Sequence, residues 1–418
     1  MTFRLIHTSD WHLGQHFYGK SRAPEHAAFL NWLLQQVEAH QVDAVIVAGD
    51  VFDTGAPPSY ARELYNRFIV DLQRLGSTLV VLGGNHDSVA TLNESRELLA
   101  CLNTRVIPGV MADPSEQVLT LHNRAGQAAA VLCAVPFLRP RDVMTSEAGQ
   151  SGSDKQQALQ QAIAGHYADL FERAQALRES YSDPVPVIAT GHLTTVGAST
   201  TESVRDIYIG TLDAFPASAF PAADYIALGH IHKAQKVGGA EHIRYSGSPL
   251  ALSFDEQGRD KSVFLVDFEH GRLNQVEPLP VPCFQPMEVL RGSLREIEAA
   301  LEAYRAMPAE GPRVWLDIEV GSQDYLNDLQ RRIQAMTEEL PVEVLLLRRA
   351  RAGQQSALFG EARETLSELS IQDVFERRLE QEVWETDEEQ QRAARLRQSF
   401  YQVVAELEAG EQESDGQS

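Results

Sequence analysis

Residues 43–53 read DAVIVAGDVFD and residues 78–87 read TLVVLGGNHD, and the two stretches share one grammar. Each opens with an apolar run rich in β-branched residues and closes on glycine followed by groups that carry chemistry. A short apolar run bounded in this way reads as a strand buried on both faces. Residues 3–7, 185–189 (VPVIA) and 224–228 (DYIAL) follow the same rule. Phe29, Leu33 and Val37 fall on one face of residues 25–40, and Leu64, Phe68, Leu72 and Leu75 on one face of 58–75, so both segments are expected to be helices. Strand alternating with helix predicts a largely parallel α/β sheet, whose carboxyl edges converge on one crevice where ligands bind.

Five motifs stand at the ends of such runs: Asp10-Trp11-His12, Gly49-Asp50-Val51-Phe52-Asp53, Gly84-Asn85-His86-Asp87, Gly191-His192 and Gly229-His230-Ile231-His232. The glycines let the chain turn sharply, so that the next side chain points into the crevice. Asp10, His12, Asp50, Asn85, His192, His230 and His232 are oxygen and nitrogen ligands with no sulfur among them. Seven are too many for one ion and about right for two, with one carboxylate bridging. Two dications suit phosphoryl displacement, because they neutralise developing charge and supply hydroxide near neutral pH. The mixed donor set favours manganese or iron over magnesium, with zinc still allowed. His7, His16, His40, His166 and His242 have no such placement and read as ordinary core or surface residues.

The composition bounds the partners. The 418 residues carry 36 Lys and Arg against 59 Asp and Glu, a net charge of -23, which excludes a free-standing nucleic-acid binder working by bulk electrostatics. Cys101, Cys133 and Cys283 are far apart and in no CxxC pair, so neither a disulfide framework nor a zinc-thiolate site is expected. The opening MTFRLIHTSDWHLG lacks the apolar core of a signal peptide, and no window approaches 18 uninterrupted apolar residues. A cytoplasmic location with no membrane association is expected.

Further along the chain, 115–137 and 242–269 read as strands and 154–180 as a helix, so a first domain is expected over 1–276. The Pro-rich EPLPVPCFQP (277–286) marks a boundary. Beyond it, strand 287–291, helix 293–306, strand 313–320, helix 325–340 and strand 342–348 predict a small α/β domain at 283–350. After a link, two capped amphipathic helices predict a C-terminal hairpin at 363–408, and 409–418 reads as a disordered tail. A hairpin this small is not stable alone, so its apolar stripe of Phe375, Leu379, Leu396, Phe400 and Val403 implies a covering surface, on the chain itself or on a partner.

Taken together, DxH, GDxxD, GNHD, GH and GHxH resemble the calcineurin-like metallophosphoesterases. More narrowly, TSDWHLGQ, AGDVFDTGAPPSYARELYNRF, GNHDSVATLNESRELL, ATGHLTTVGAS, RDIYIGTLDAFP, ALGHIHKAQ and YSGSPLALSFDE are similar to the SbcD family of nuclease subunits, and VWLDIEV, LPVEVLLLRR and ETLSELS extend the similarity over nearly the whole chain. The resemblance implies a two-sheet sandwich flanked by helices, with the small α/β domain as a cap and the hairpin docked on SbcC, an SMC-like ATPase that supplies most of the DNA-binding surface. It implies that Asp10, His12, Asp50 and His232 hold one divalent ion, most simply Mn2+, and Asp50, Asn85, His192 and His230 a second. It assigns catalysis to His86, as stabiliser of the transition state or acid for the leaving oxygen, with Asp87 orienting it. It further implies a homodimer within a heterotetramer, built on helices 58–75 and 94–102. A thick core explains their extra apolar residues equally well.

The implied activity is exonucleolytic on duplex DNA ends and endonucleolytic on single strands and hairpins, in repair and recombination. A small-molecule phosphodiesterase or nucleotidase with the same metal core is the alternative, and a non-catalytic scaffold is a third. Thr54 and Gly55 after Asp53, and Asp87 after His86, depart from the GDxVDRG and GNHE of the Ser/Thr phosphatases and disfavour a protein phosphatase. Trp11, Phe17, Tyr18, Lys20 and Arg22 either stack on a frayed base and hold a phosphate or form a packed loop. Asp53 either serves the site or braces its loop.

Overall fold

The computed structural model describes residues 2–144, 152–201, 203–204, 214–307, 311–321 and 328–350. The hairpin and tail expected at 363–408 and 409–418 lie outside the described residues.

Two six-stranded sheets form the centre. The first runs in spatial order Arg272–Pro280, Ser262–Glu269, Thr2–Thr8, Ala44–Ala48, Thr78–Leu82, Thr104–Ile107, and the second Gln235–Lys236, Ile243–Tyr245, Tyr225–Gly229, Val187–His192, Ala128–Cys133, Val118–His122. The inner strands and the edge strand Thr104–Ile107 pair in parallel, as the βα alternation requires, while Ser262–Glu269, Arg272–Pro280, Val118–His122 and Gln235–Lys236 pair antiparallel. Every residue of Ala44–Ala48, Thr78–Leu82 and Tyr225–Gly229 is buried, which explains why these strands read as unbroken apolar runs.

The sheets pack face to face through Phe3, Leu5, Ala44, Ile46 and Ala48 on one side and Leu132, Ile188, Tyr225 and Ala227 on the other. Helices Ala23–Ala39 and Ser59–Arg74 cover the outer face of the first sheet, where Phe29, Leu33, Phe68 and Leu72 meet Val45 and Val47. Helix Gly152–Glu179 covers the second, placing Leu159, Ile163, Tyr167 and Leu170 over Val187, Ala189 and Ile226. Helix, sheet, sheet and helix thus stack in four layers, as the family resemblance implies.

The first sheet continues past residue 276. Its edge strand reaches Pro280, and Val281 still donates its N–H to the Lys261 carbonyl at 2.8 Å. Of the Pro-rich stretch expected to mark the boundary, Pro278 and Pro280 occupy this edge strand, where a missing N–H costs no ladder bond. Beyond it, Met287–Gly292, Val314–Val320 and Val342–Arg349 form a three-stranded parallel sheet with helices Leu294–Leu301 and Leu329–Thr337, around Leu316, Ile318, Ile297 and Ile333. A capping box of Ser293 and Glu296 starts the first of these helices.

The loop of aromatic and basic residues near the first motif packs inward. Trp11 meets Phe68 edge to face at 5.3 Å, and Phe17 stacks on Trp315 at 5.4 Å. Arg22 is buried and bonds Glu25, Gln15 and the Ala251 carbonyl, and Lys20 pairs with Glu343. Of the five side chains, Tyr18 alone is exposed by half. Stacking on a base is therefore not available to Trp11 or Phe17. Likewise Tyr65, Phe68, Ile69, Leu72 and Leu99 are core residues, Tyr60 and Leu64 are partly buried against that core, and the exposed large apolar side chains of helices Ser59–Arg74 and Arg96–Ala100 are Val70 and Leu98.

The two sheets approach most closely at their carboxyl ends. A Cβ on Gly229 would lie 1.9 Å from the Ala48 carbonyl oxygen, across the sandwich. Gly229→Ala is therefore expected to force backbone apart and to cost about 1–3 kcal/mol or more. A fall in the urea midpoint at unchanged slope checks this.

Candidate metal centre

All five motifs meet at this narrow end of the sandwich. The loops after Thr2–Thr8 and Ala44–Ala48 are zipped together by Asp10 N–H to Gly49 O at 3.0 Å, His12 N–H to Asp50 O at 3.1 Å and Leu13 N–H to Val51 O at 2.9 Å. Asp10, His12, Asp50 and His230 all take positive φ, at 54°, 46°, 51° and 91°. Such backbone is costly for residues with a Cβ and persists where surrounding bonds over-determine it. It aims four side chains at one point instead of letting them alternate as in a strand.

The ligand atoms of Asp10, His12 and His232 lie within 4.8 Å of one another, as do those of Asp50, His192 and His230. His12, Asp50 and His86 make a third such group, so the Asp50 carboxylate stands between the first two clusters. The Asn85 Oδ1 joins the second, 2.9 Å from His192 Nε2, and Asp50 Oδ2 lies 3.2 Å from that same nitrogen. The structure thus brings together all seven expected ligands, with His86 beside them. All but Asn85 and His86 are buried.

Bonds behind the ligands fix their orientation. His192 Nδ1 lies 2.9 Å from the Ala48 carbonyl, so that nitrogen carries the proton and Nε2 faces Asp50 and Asn85. His12 Nδ1 lies 3.1 Å from Asp53 Oδ1, which settles Asp53 as the partner that orients His12. Asp10 accepts from Ser9 Oγ at 2.5 Å and from the His230 N–H at 3.0 Å. His86 Nδ1 lies 2.8 Å from the Asp53 carbonyl.

Asp87 differs from expectation. Its carboxylate accepts the N–H groups of Val51 at 3.1 Å, Phe52 at 3.0 Å and Gly84 at 2.9 Å, pinning the second motif to the third. Asp53 rather than Asp87 is placed to set the His86 ring, because the turn at Gly84 carries the Asp87 side chain beneath the loop. Burial, with the Asp50 charge beside it, pushes the Asp87 carboxyl upward against those three N–H groups.

The donor set fits cations. The Nε2 atoms of His12 and His230 are buried without a hydrogen-bond partner, a costly state that a cation relieves. His192 presents Nε2 to two acceptor oxygens, an arrangement that calls for either a proton on that nitrogen or a cation among the three atoms. Burial opposes protonating His192, yet the Asp50 carboxylate overrides it and pushes the imidazole up to about 9. At His12 burial again opposes charge, and Asp53 and Asp50 again prevail. At His230 burial wins, helped by His192, and the ring is held well below its ordinary value. The field therefore attracts positive charge, while at least one imidazole keeps its lone pair for a ligand bond.

Of the histidines outside the motifs, His7 is buried between the Tyr225 hydroxyl at 2.9 Å and the Leu228 carbonyl at 3.2 Å, and burial drops it to about 3. It is a core residue, as expected. Sequence reasoning missed Ser9, Ser203 and Glu256, which back Asp10 and His232. The one available signal was the charged end of an otherwise small and apolar stretch, YSGSPLALSFDE.

Residues 3–234 match the calcineurin-like phosphoesterase family, and residues 283–383 match the type 5 capsule protein repressor C-terminal domain, the SbcD C-terminal model. The D subunit of the SbcCD nuclease from Escherichia coli K12 is 59% identical over 411 residues, covering 98% of this chain and 100% of the relative. Its counterpart from Rhodobacter capsulatus is 35% identical, covering 82% of this chain and 86% of the relative. The one from Bacillus subtilis is 30% identical, covering 78% and 80%. Strand ends that gather carboxylates, imidazoles and an amide around shared points, on a chain so alike from end to end, place this protein in the calcineurin-like phosphoesterase family and, within it, among the D subunits of SbcCD nucleases.

Proposed function

We propose that this chain is the metal-dependent nuclease subunit of a cytoplasmic SbcCD-type complex, cutting DNA as an exonuclease at duplex ends and an endonuclease on single strands and hairpins. The single observation that carries the reading is the convergence of two ligand clusters on Asp50. In this proposal Asp10, His12, Asp50 and His232 hold one divalent ion, and Asp50, Asn85, His192 and His230 the other, with Mn2+ the best match to so many nitrogen donors. Such a pair, when bound, neutralises phosphodiester charge and supplies a nucleophile near neutral pH.

The chain's own groups do the rest. His86 donates Nδ1–H to the Asp53 carbonyl, so a second proton on the ring resides at Nε2, available to the leaving oxygen. Asp87 holds the loops of Asp50 and Asn85 in register. Asp53 fixes both the His12 and His86 rings.

The same proposal divides the chain into a nuclease domain, 1–276 with its edge strand continuing to Pro280, a cap at 283–350 and an SbcC-binding hairpin at 363–408. Residues 281–418 hold 28 acids and 15 bases and repel DNA, so the basic surface must come from the ATPase partner. Among the described residues no helix is long and apolar enough to cross a membrane.

The test is cleavage of end-labelled duplex, hairpin and cyclic-nucleotide substrates with Mn2+, with and without the ATPase. Loss of label from duplex ends and opening of hairpins are expected. Turnover of the cyclic nucleotide alone would assign the chain to the small-molecule phosphodiesterases.

His86→Ala is expected to keep two ions per chain and to lose about a hundredfold or more of cleavage. Asp50→Ala is expected to lose metal and activity together, and elemental analysis beside the cleavage assay separates the two outcomes. In the proposed homodimer within a heterotetramer, the contact uses Val70 and Leu98, 37% and 67% exposed and so dispensable to the core. The Val70→Asp, Leu98→Asp double variant should sediment at half the parental mass with its thermal midpoint unchanged.

A further inference from the structure

Behind His232 lies a buried polar assembly that the reaction as outlined does not use. Glu256, on the single turn Phe254–Glu256, is 1% exposed. Its Oε2 accepts from Lys261 Nζ at 2.6 Å and from the Leu252 N–H at 3.1 Å. Its Oε1 accepts from Thr201 Oγ1 at 2.9 Å and from the Ser203 hydroxyl, and lies 3.6 Å from His232 Nδ1. Ser203 Oγ in turn stands 2.6 Å from His232 Nδ1. Lys261 completes the enclosure, donating to Ser248 Oγ at 2.8 Å and to the His232 carbonyl at 3.2 Å.

Counting protons decides the direction of each bond. A carboxylate paired with an ammonium only accepts, so the single hydroxyl proton of Ser203 goes to Glu256. Ser203 Oγ then has only lone pairs to offer His232, and Nδ1 must be the N–H that donates to it. A neutral imidazole with its proton on Nδ1 carries its lone pair on Nε2, the nitrogen left to face Asp10 and His12. An imidazole ligand is commonly set by a carboxylate behind it, and here a serine hydroxyl lies between them.

We propose that Glu256 is a positioning residue of the metal centre, which through Ser203, and with Lys261 holding it in place, locks His232 as the Nδ1–H tautomer and so presents Nε2 to the cation shared with Asp10 and His12. This rests on the assignment of His232 as a ligand in the proposed function. The effect is confined to one of the two ion sites, because the bonds of Glu256, Ser203 and Lys261 reach His232 alone among the proposed ligands, while His192 is set by the Ala48 carbonyl.

The test is Mn2+ binding to the full chain by equilibrium dialysis, with cleavage read separately. Glu256→Gln and Ser203→Ala should each weaken one of the two ions about ten- to a hundredfold and leave the other unchanged. The Ser203→Ala, Glu256→Gln double variant should be no worse than the weaker single, because both changes act on one imidazole. Ser203→Ala keeps the Glu256–Lys261 pair, so it remains informative if Glu256→Gln fails to fold. In 15N-histidine-labelled protein freed of metal, the His232 signals should show Nδ1 protonated in the parent, and Ser203→Ala should show a mixture of the two tautomers. Unchanged affinities for both ions, or equal weakening of both, would show that the assembly serves only the fold. A parent that binds two ions and cuts no DNA would overturn the nuclease reading, yet would leave one-site weakening intact as the measure of this proposal.

Discussion

The structure depends on how close the two sheets come at their carboxyl ends. His192 Nδ1 reaches across to the Ala48 carbonyl at 2.9 Å, and Gly49 and Gly229 leave no room for a methyl group against His192 and Ala48 respectively. A sandwich of ordinary thickness holds its sheets about 10 Å apart with side chains between them. Here the spacing collapses to backbone contact at one end. The collapse lets residues from both sheets serve one centre.

That narrowness has an electrostatic consequence. Carboxylates and imidazoles are driven together where neither can be hydrated, and their bonds outward are already taken by Ala48, Asp53, Ser9 and the His230 N–H. What remains facing inward are carboxylate oxygens and imidazole nitrogens. Burial alone would make every histidine neutral and every aspartate protonated. His192 and Asp50 depart from that rule together, each holding the other charged. A site arranged in this way gains more from a dication than from protons, since one ion satisfies several lone pairs that protons would have to satisfy one by one. The left-handed backbone at Asp10, His12, Asp50 and His230 is the conformational cost of aiming them.

The strands and the ligand motifs were legible in the sequence because both follow from local pattern. Ala44–Ala48 and Thr78–Leu82 are buried on both faces, so apolar runs ending in Gly-Asp and Gly-Gly-Asn mark strand, turn and site at once. Direction of side chains was not legible. Asp87 adjoins His86 in the chain, but its carboxylate reaches three N–H groups on two loops, and no periodicity records that turn. Arg22 reads as a surface cation, yet it is buried because Glu25, Gln15 and the distant Ala251 carbonyl together meet its guanidinium. The edge strand through Pro278 and Pro280 was hidden for a related reason. Proline signals a break unless the strand is known to lie at a sheet edge, and that is a property of the assembled sheet.

The same long-range packing ties the small sheet of Met287–Gly292, Val314–Val320 and Val342–Arg349, the proposed cap, to the candidate site. Phe17, five residues after His12, lies nearly parallel to Trp315 of the cap sheet, with 9° between ring planes. Phe254, two residues before Glu256, meets Phe17 at 5.1 Å, and Met287 of the first cap strand closes the cluster. The cap therefore rests on two segments that each end in the site, one at a proposed ligand and one at the residue behind another. Sliding the cap would break a buried aromatic stack worth about 0.5–1.5 kcal/mol beyond the area it covers, together with the Lys20–Glu343 pair. Interfaces packed this tightly shift between discrete arrangements and do not deform continuously. The proposed cap is thus seated by one aromatic cluster and one ion pair, and the cost of breaking them lies within the reach of ordinary protein–protein binding energies.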